Sequence, residues 1–382
     1  MLLSIYPSSQ TATGDAIAGI IVILMILSVW RVRKAPHKLS SFGITAALVL
    51  CLFHYIFPQT GGDFLSYKEW VESVGFTNTD YLSNYYLHYE KVYYVIVNFV
   101  HNNYLLFRLV VWGSSLALFC ITARRLKLDF NVFVFFLCIF IVPSTSTSRV
   151  CLAYAIAFSG YSFLVEPLTR KGSRLLSIVI GSSLIILSLF FHRTAFFLLL
   201  TMPLSILDFN KKTLWVFAVA FPIMVIFLNY NLFGLLLNYN QTDNALIDAE
   251  TAAVYFYADK KVFGLGHIVR LVLYYGGCLA IGYLILKCIM NRSYMSWPKP
   301  IRKFANVALV ITIIAAAFLL TGGNTYKTFE RFINFSVFPQ CVFLTYLLKN
   351  GYEKKMIRLI VLLLTSSVIY NIVYDDFYLG GA

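Results

Sequence analysis

The sequence predicts an all-α polytopic membrane protein with about twelve transmembrane helices. Three observations carry that expectation. The 382 residues are 59% hydrophobic and only 13% charged, with a mean hydropathy of +0.76, and a water-facing surface of this size needs many more charges. Apolar runs recur along the chain at the length that crosses a ~30 Å hydrocarbon core. Between them, loops rich in Lys and Arg alternate with loops that are poor in them, the pattern of the positive-inside rule.

The expected spans are 16–30, 41–57, 104–123, 130–146, 150–166, 175–191, 195–208, 213–230, 266–289, 304–321, 331–348 and 356–374. With both termini outside, the inner loops and flanks hold 21 of the 31 Lys and Arg, whereas 13 of the 17 Asp and Glu fall on the outer side. Arg170, Lys171 and Arg174 mark one inner turn. The net charge of +14 is therefore a signature of topology, and no nucleic-acid partner is expected. Met1–Thr13 lacks a basic n-region, and the apolar run after it leads into cations, so no cleaved signal peptide is expected.

The whole chain, 1–382, reads as one integral membrane domain with two long outer loops. The first, 58–103, is too polar and too rich in tyrosine to span. Asp63–Val74 and Glu90–His101 within it read as amphipathic helices lying at the outer interface, where Tyr and Trp prefer to sit. The second, 231–265, sets Asp243, Asp248, Glu250 and Asp259 against Lys260 and Lys261, and is a candidate lid or acceptor contact. The seven cysteines lie in or beside apolar runs, without CxxC spacing, and read as buried free thiols. Nucleotide-loop and zinc-protease motifs are absent, as is an internal repeat.

Chemistry concentrates in Val142–Leu200. Two expected outer tips, Pro143–Arg149 and His192–Thr194, place Arg149, His192 and Arg193 beside apolar runs. A guanidinium there stays charged and must keep water or an anion, so the tips point to an anion site. Arg331 and Arg270 lie at outer ends of later spans. Arg108 lies a turn or so inside its span, and its direction is not legible.

Several segments resemble a known family. Gly61-Gly-Asp63-Phe-Leu-Ser-Tyr67 resembles the G-x-D-x-x-x-Y segment in the first outer loop of EpsG-like, Wzy-type polysaccharide polymerases. Tyr89-Glu90-Lys-Val-Tyr-Tyr94 is similar to their following E-P-x-F helix, with Lys91 where proline is usual. Arg149-Val-Cys-Leu-Ala153 is similar to R-x-x-L-A, Phe191-His192-Arg193-Thr194-Ala195 to F-H-x-S-A with threonine for serine, and Glu330-Arg331-Phe332 to the late arginine-aromatic segment. The matches run in order over residues 60–335.

The resemblance implies a GT-C-like glycosyltransferase architecture and a metal-independent enzyme without cofactor. Its substrates would be undecaprenyl-pyrophosphate-linked oligosaccharides, as donor and as acceptor, on the outer face of the bacterial cytoplasmic membrane. Membrane lipids and a chain-length regulator of the polysaccharide copolymerase type would be its partners. Leaving pyrophosphate needs cations, for which Arg149, Arg193, Arg331 and Arg270 are the candidates, the first three expected to converge on one outer cavity. The attacking hydroxyl needs a proton acceptor, for which Asp63 and His192 are the candidates. Tyr67 and Glu90 are candidates for glycan contact. Simpler roles are Asp63 as a helix cap, His192 as a structural imidazole, Arg149 and Arg193 as anchors to lipid phosphate, and Arg331 as a local partner of Glu330. Another lipid-linked glycosyltransferase or a glycan ligase would use the same leaving group. A flippase would be expected to show repeated halves.

Overall fold

Backbone polar groups in lipid must be satisfied within their own segment, which restricts apolar runs of this length to helices. The structure, a computed structural model, describes residues 68, 70–72, 91–141, 148–167, 173–192, 195–229, 268–269, 271–320 and 326–370. Every regular element among them is helical. The expected spans 16–30 and 41–57 and the whole 231–265 loop lie outside the described residues, as do Asp63, Tyr67, Glu90, Arg193 and Arg270.

In chain order the α-helices are α1 Lys91–Phe99, α2 Tyr104–Arg125, α3 Phe130–Ile141, α4 Ser148–Val165, α5 Ser173–Phe191, α6 Ala195–Ile206 and α7 Lys211–Asn229. A π-turn, Leu271–Tyr275, leads into α8 Gly276–Met290; α9 Lys299–Leu320, α10 Tyr326–Phe335, α11 Val337–Asn350 and α12 Lys354–Tyr370 follow. Four helical stretches are long and apolar enough to cross a membrane by length and composition: Tyr104–Arg125, Arg174–Phe191, Leu271–Met290 and Lys299–Leu320. Their outward faces are apolar too. Leu175, Val179, Ile186 and Phe190 form an exposed stripe along α5, and Trp215, Val219, Ile223 and Ile226 another along α7. Water would not tolerate such stripes, and lipid requires them, so this is a membrane protein.

The chain divides into two compact units, Met1–Met202 with Cys341–Ala382, and Pro203–Gln340. In the first, α3 and α4 are central: every residue from Val132 to Phe140 and from Cys151 to Ser162 is buried. Helices apolar on all sides belong in a core. α4 and α5 form an antiparallel pair that meets at Gly160 and Gly181. A Cβ added to Gly160 would stand 2.6 Å from the Gly181 carbonyl oxygen, and one on Gly181 would stand 2.8 Å from the Gly160 oxygen. Small residues at such crossings let backbones approach in lipid. α2 runs parallel to α4, joined by a Thr122–Ser159 hydroxyl hydrogen bond (2.8 Å) and by the Arg125 guanidinium, which donates to the Glu166 carbonyl and stacks over Phe163.

In the second unit α9 is the buried helix and packs against α7, α8 and α10. At its start, Lys303 and Arg302 pair with Asp208 (3.1 and 3.5 Å), and Asn306 donates to the Leu207 carbonyl while accepting from the Tyr294 hydroxyl (2.6 Å). Burial pushes the Tyr294 phenol up to about 12, against the Asn306 hydrogen bond and the Arg302 charge. The expected span 331–348 is interrupted at Ser336, between α10 and α11. Pro339 has no N–H for the Phe335 carbonyl, which accounts for the break at this point. All six described cysteines are free; five are buried and Cys120 is half-buried.

Candidate active site

The first unit places its site residues through helix ends. α4 opens at Ser148, so Arg149 lies in its first turn, where the helix dipole adds positive potential to that of the side chain. α5 closes at His192, which is half-buried. Its N–H donates to the Ser188 carbonyl (3.1 Å), and its own carbonyl accepts from Ala195 N–H (3.0 Å) at the start of α6. The Gly160–Gly181 contact sets the relative height of these two ends. Arg149 precedes Gly160 by 11 residues and His192 follows Gly181 by 11 residues. At the helical rise, both stand about 16 Å from the crossing, on one level.

The described part of the 58–103 segment docks at this level. Asn103 caps α2 by accepting the Leu106 N–H (3.0 Å), and His101 and Asn102 take left-handed backbone (φ 51° and 57°), so α1 turns sharply into α2. Tyr93 and Val97 on α1, and Val100 just after it, bury against Phe107 and Val111 of α2, Leu152 and Ile156 of α4, and Val71 of the loop. The Tyr93 ring meets Phe191 edge-on at 5.9 Å, and Trp70 meets Tyr94 at 5.6 Å. Val95 and Phe99, on the opposite side of α1, are exposed. The loop helix is thus held on the ends that carry Arg149 and His192, with an apolar back, as an interfacial helix requires.

In the second unit the π-turn and α10 are tied together. Tyr275 donates to the Glu330 carboxylate (2.8 Å) and Tyr274 to the Asn334 carbonyl oxygen (3.2 Å). Glu330 and Asn334 are four residues apart and share one helical face. Arg331 therefore lies on a helix fixed by two buried tyrosines, and Arg270 is the residue before the turn that carries them. π-turns in α-helices occur often at functional sites, and this one is tied to the helix on which Arg331 lies.

Arg149 and His192 are thus brought to one level within the first unit, and the π-turn is joined to the helix of Arg331 within the second. Tyr93, Tyr274, Tyr275 and Asn334 have positioning roles that the sequence analysis did not single out. The signal for the tyrosines was an adjacent pair at the end of an apolar run, which is indistinguishable from the ordinary aromatic belt. For Tyr93, the signal was its place on the apolar face of the loop helix.

Comparison with curated proteins and with solved structures returned no match. Residues 40–379 match the family model described as EpsG family, and with that match over most of its length the chain belongs to the EpsG family.

Proposed function

We propose that this protein polymerises lipid-linked oligosaccharide repeat units on the outer face of the bacterial cytoplasmic membrane. The growing glycan is transferred from polyprenyl pyrophosphate to a hydroxyl of a new repeat unit. The anomeric carbon–oxygen bond to pyrophosphate breaks, a bond to the acceptor oxygen forms, and the acceptor proton passes to a side-chain base. Pyrophosphate leaves on its lipid, held by cations. Arg149, Arg193, Arg270 and Arg331 are the proposed cations, Asp63 and His192 the proposed bases, and Tyr67 and Glu90 the proposed glycan contacts. A chain-length regulator is the proposed protein partner.

One observation carries this proposal beyond family membership. A cationic helix start and a histidine-bearing helix end meet at one level, beneath a docked aromatic loop helix. This arrangement offers charge for a headgroup, an imidazole for a proton and aromatic faces for sugars. It suits transfer at a surface better than passage through a central path, which favours an enzyme over a flippase.

Two tests apply. Cells lacking the protein are expected to accumulate undecaprenyl-linked single repeats and to lose long polymer. Long polymer persisting in its absence would remove the polymerase assignment. For orientation, an Asn240→Cys variant is expected to react with an impermeant maleimide in intact spheroplasts; reaction only after lysis would reverse the topology.

A further inference from the structure

Arg108 is a buried charge of the first unit. It lies on α2, four residues past Tyr104, and is 9% exposed, while Leu106 and Leu109 beside it are 46% and 39% exposed. The guanidinium is therefore turned into the protein, away from the surface where an arginine would snorkel to lipid phosphate. Its Nη1 donates to the Tyr104 hydroxyl (3.0 Å), and its plane lies 5.7 Å from the Tyr104 ring centre. Its Nε is buried without a hydrogen-bond partner, and among the described residues no carboxylate pairs with it. Among the described residues one neutral acceptor and one ring face the guanidinium, and these are worth far less than its desolvation.

The position of Arg108 gives the cost a purpose. Two contacts fix the register of the parallel helices α2 and α4: Arg125 with Glu166 at a sequence offset of 41, and Thr122 with Ser159 at an offset of 37. Carried back along α2, the first offset sets Arg108 opposite Arg149 and the second sets it within about one helical turn of Arg149. The Gly160–Gly181 crossing has already set Arg149 level with His192. Arg108 is also only about 6 Å along α2 from Tyr104, the first residue of that helix.

Resting on the proposed lipid-diphosphate chemistry of this site, we infer that Arg108 is a further binding residue for the diphosphate. Its buried guanidinium, which no carboxylate among the described residues neutralises, stands level with Arg149 and His192, and the diphosphate supplies the opposite charge. A purely structural Arg–Tyr pair would stabilise the empty protein, whereas a charge kept for a ligand weakens the empty protein and tightens the complex.

The test uses full-length protein in detergent and geranylgeranyl diphosphate as the probe, with geranylgeraniol and inorganic pyrophosphate as comparison arms. Arg108→Gln is expected to melt at the same or a higher temperature without ligand and to bind the diphosphate at least tenfold more weakly. Arg108→Lys, which keeps the charge and loses the planar fork, is expected to lie between. If Arg108→Gln does not accumulate, Arg108→Lys carries the test: several-fold weaker binding at unchanged melting supports the inference. In the wild type, displacement of the probe by inorganic pyrophosphate would indicate a site that also takes free diphosphate. An Arg108-dependent probe that pyrophosphate does not displace would indicate a lipid headgroup, and both results support the inference. Unchanged affinity in the variants, or equal affinity for geranylgeraniol, overturns it. A wild type that binds no diphosphate overturns the proposed polymerase chemistry as well, whereas a wild type that binds it irrespective of residue 108 overturns this inference alone.

Discussion

Arg149→Ala is expected to lower polymer synthesis by about 10²-fold or more at unchanged abundance in the membrane, the scale of losing one preorganised group from a charge-stabilising site. The residue lies in the first turn of α4, a core helix of its unit, and has the dipole of that helix behind it. Two companion variants separate charge from proton transfer. Asp63→Asn keeps shape and capping ability but loses basicity, so it abolishes transfer if Asp63 is the base and is nearly silent if Asp63 only caps a helix. His192→Ala removes the other proposed base. Quantifying polymer and bound lipid-linked donor in each variant assigns the roles. If Arg149→Ala retains wild-type synthesis, the α4 end does not hold the leaving group. If both base variants stay active, neither side chain accepts the proton.

Gly160→Leu is expected to leave little folded protein. Even Gly160→Ala puts a methyl 2.6 Å from a backbone carbonyl oxygen that no rotamer change can move, with Leu184 Cβ and Ile185 Cγ1 at 2.9 and 3.0 Å. Parting α4 from α5 to admit it should cost about 1–3 kcal/mol, and the larger side chain more. The effect should reach activity even where folding survives, because the crossing sets the heights of Arg149 and His192. Gly113→Ala is the control: nothing lies within 4 Å of the added Cβ. The exposed helical glycine should gain roughly 0.5–1 kcal/mol of helix propensity on becoming alanine. Thermal unfolding in detergent compares the pair; a Gly160→Ala protein that melts with wild type would remove the close crossing.

Segments whose fate depends on composition were legible in the sequence. The helices α2, α4, α5, α8 and α9 lie where apolar length placed spans, because lipid leaves such runs no other satisfied conformation. The loop helix α1 was legible from its tyrosines beside an apolar run. What was not legible depends on direction and contact. Arg108 sits in an apolar run, and nothing local says whether it faces lipid or protein; its burial follows from α2 packing on α4 and α1. Gly160 and Gly181 were two glycines among many until the hairpin opposed them. The break at Ser336 had its signal in Pro339, but the apolar run continued across it. The π-turn at Leu271–Tyr275 has no such mark, since its purpose lies in Glu330 and Asn334, more than 50 residues away.

The central claim is repeat-unit polymerisation from a lipid pyrophosphate, and the most direct measurement is reconstitution. Purified protein in liposomes is supplied with an undecaprenyl-pyrophosphate-linked oligosaccharide repeat, and the products are resolved by size. A ladder of glycans growing by whole repeats, still bound to lipid, is the expected result. A single transfer to a different acceptor, or repeats that change sides of the bilayer without growing, would contradict it.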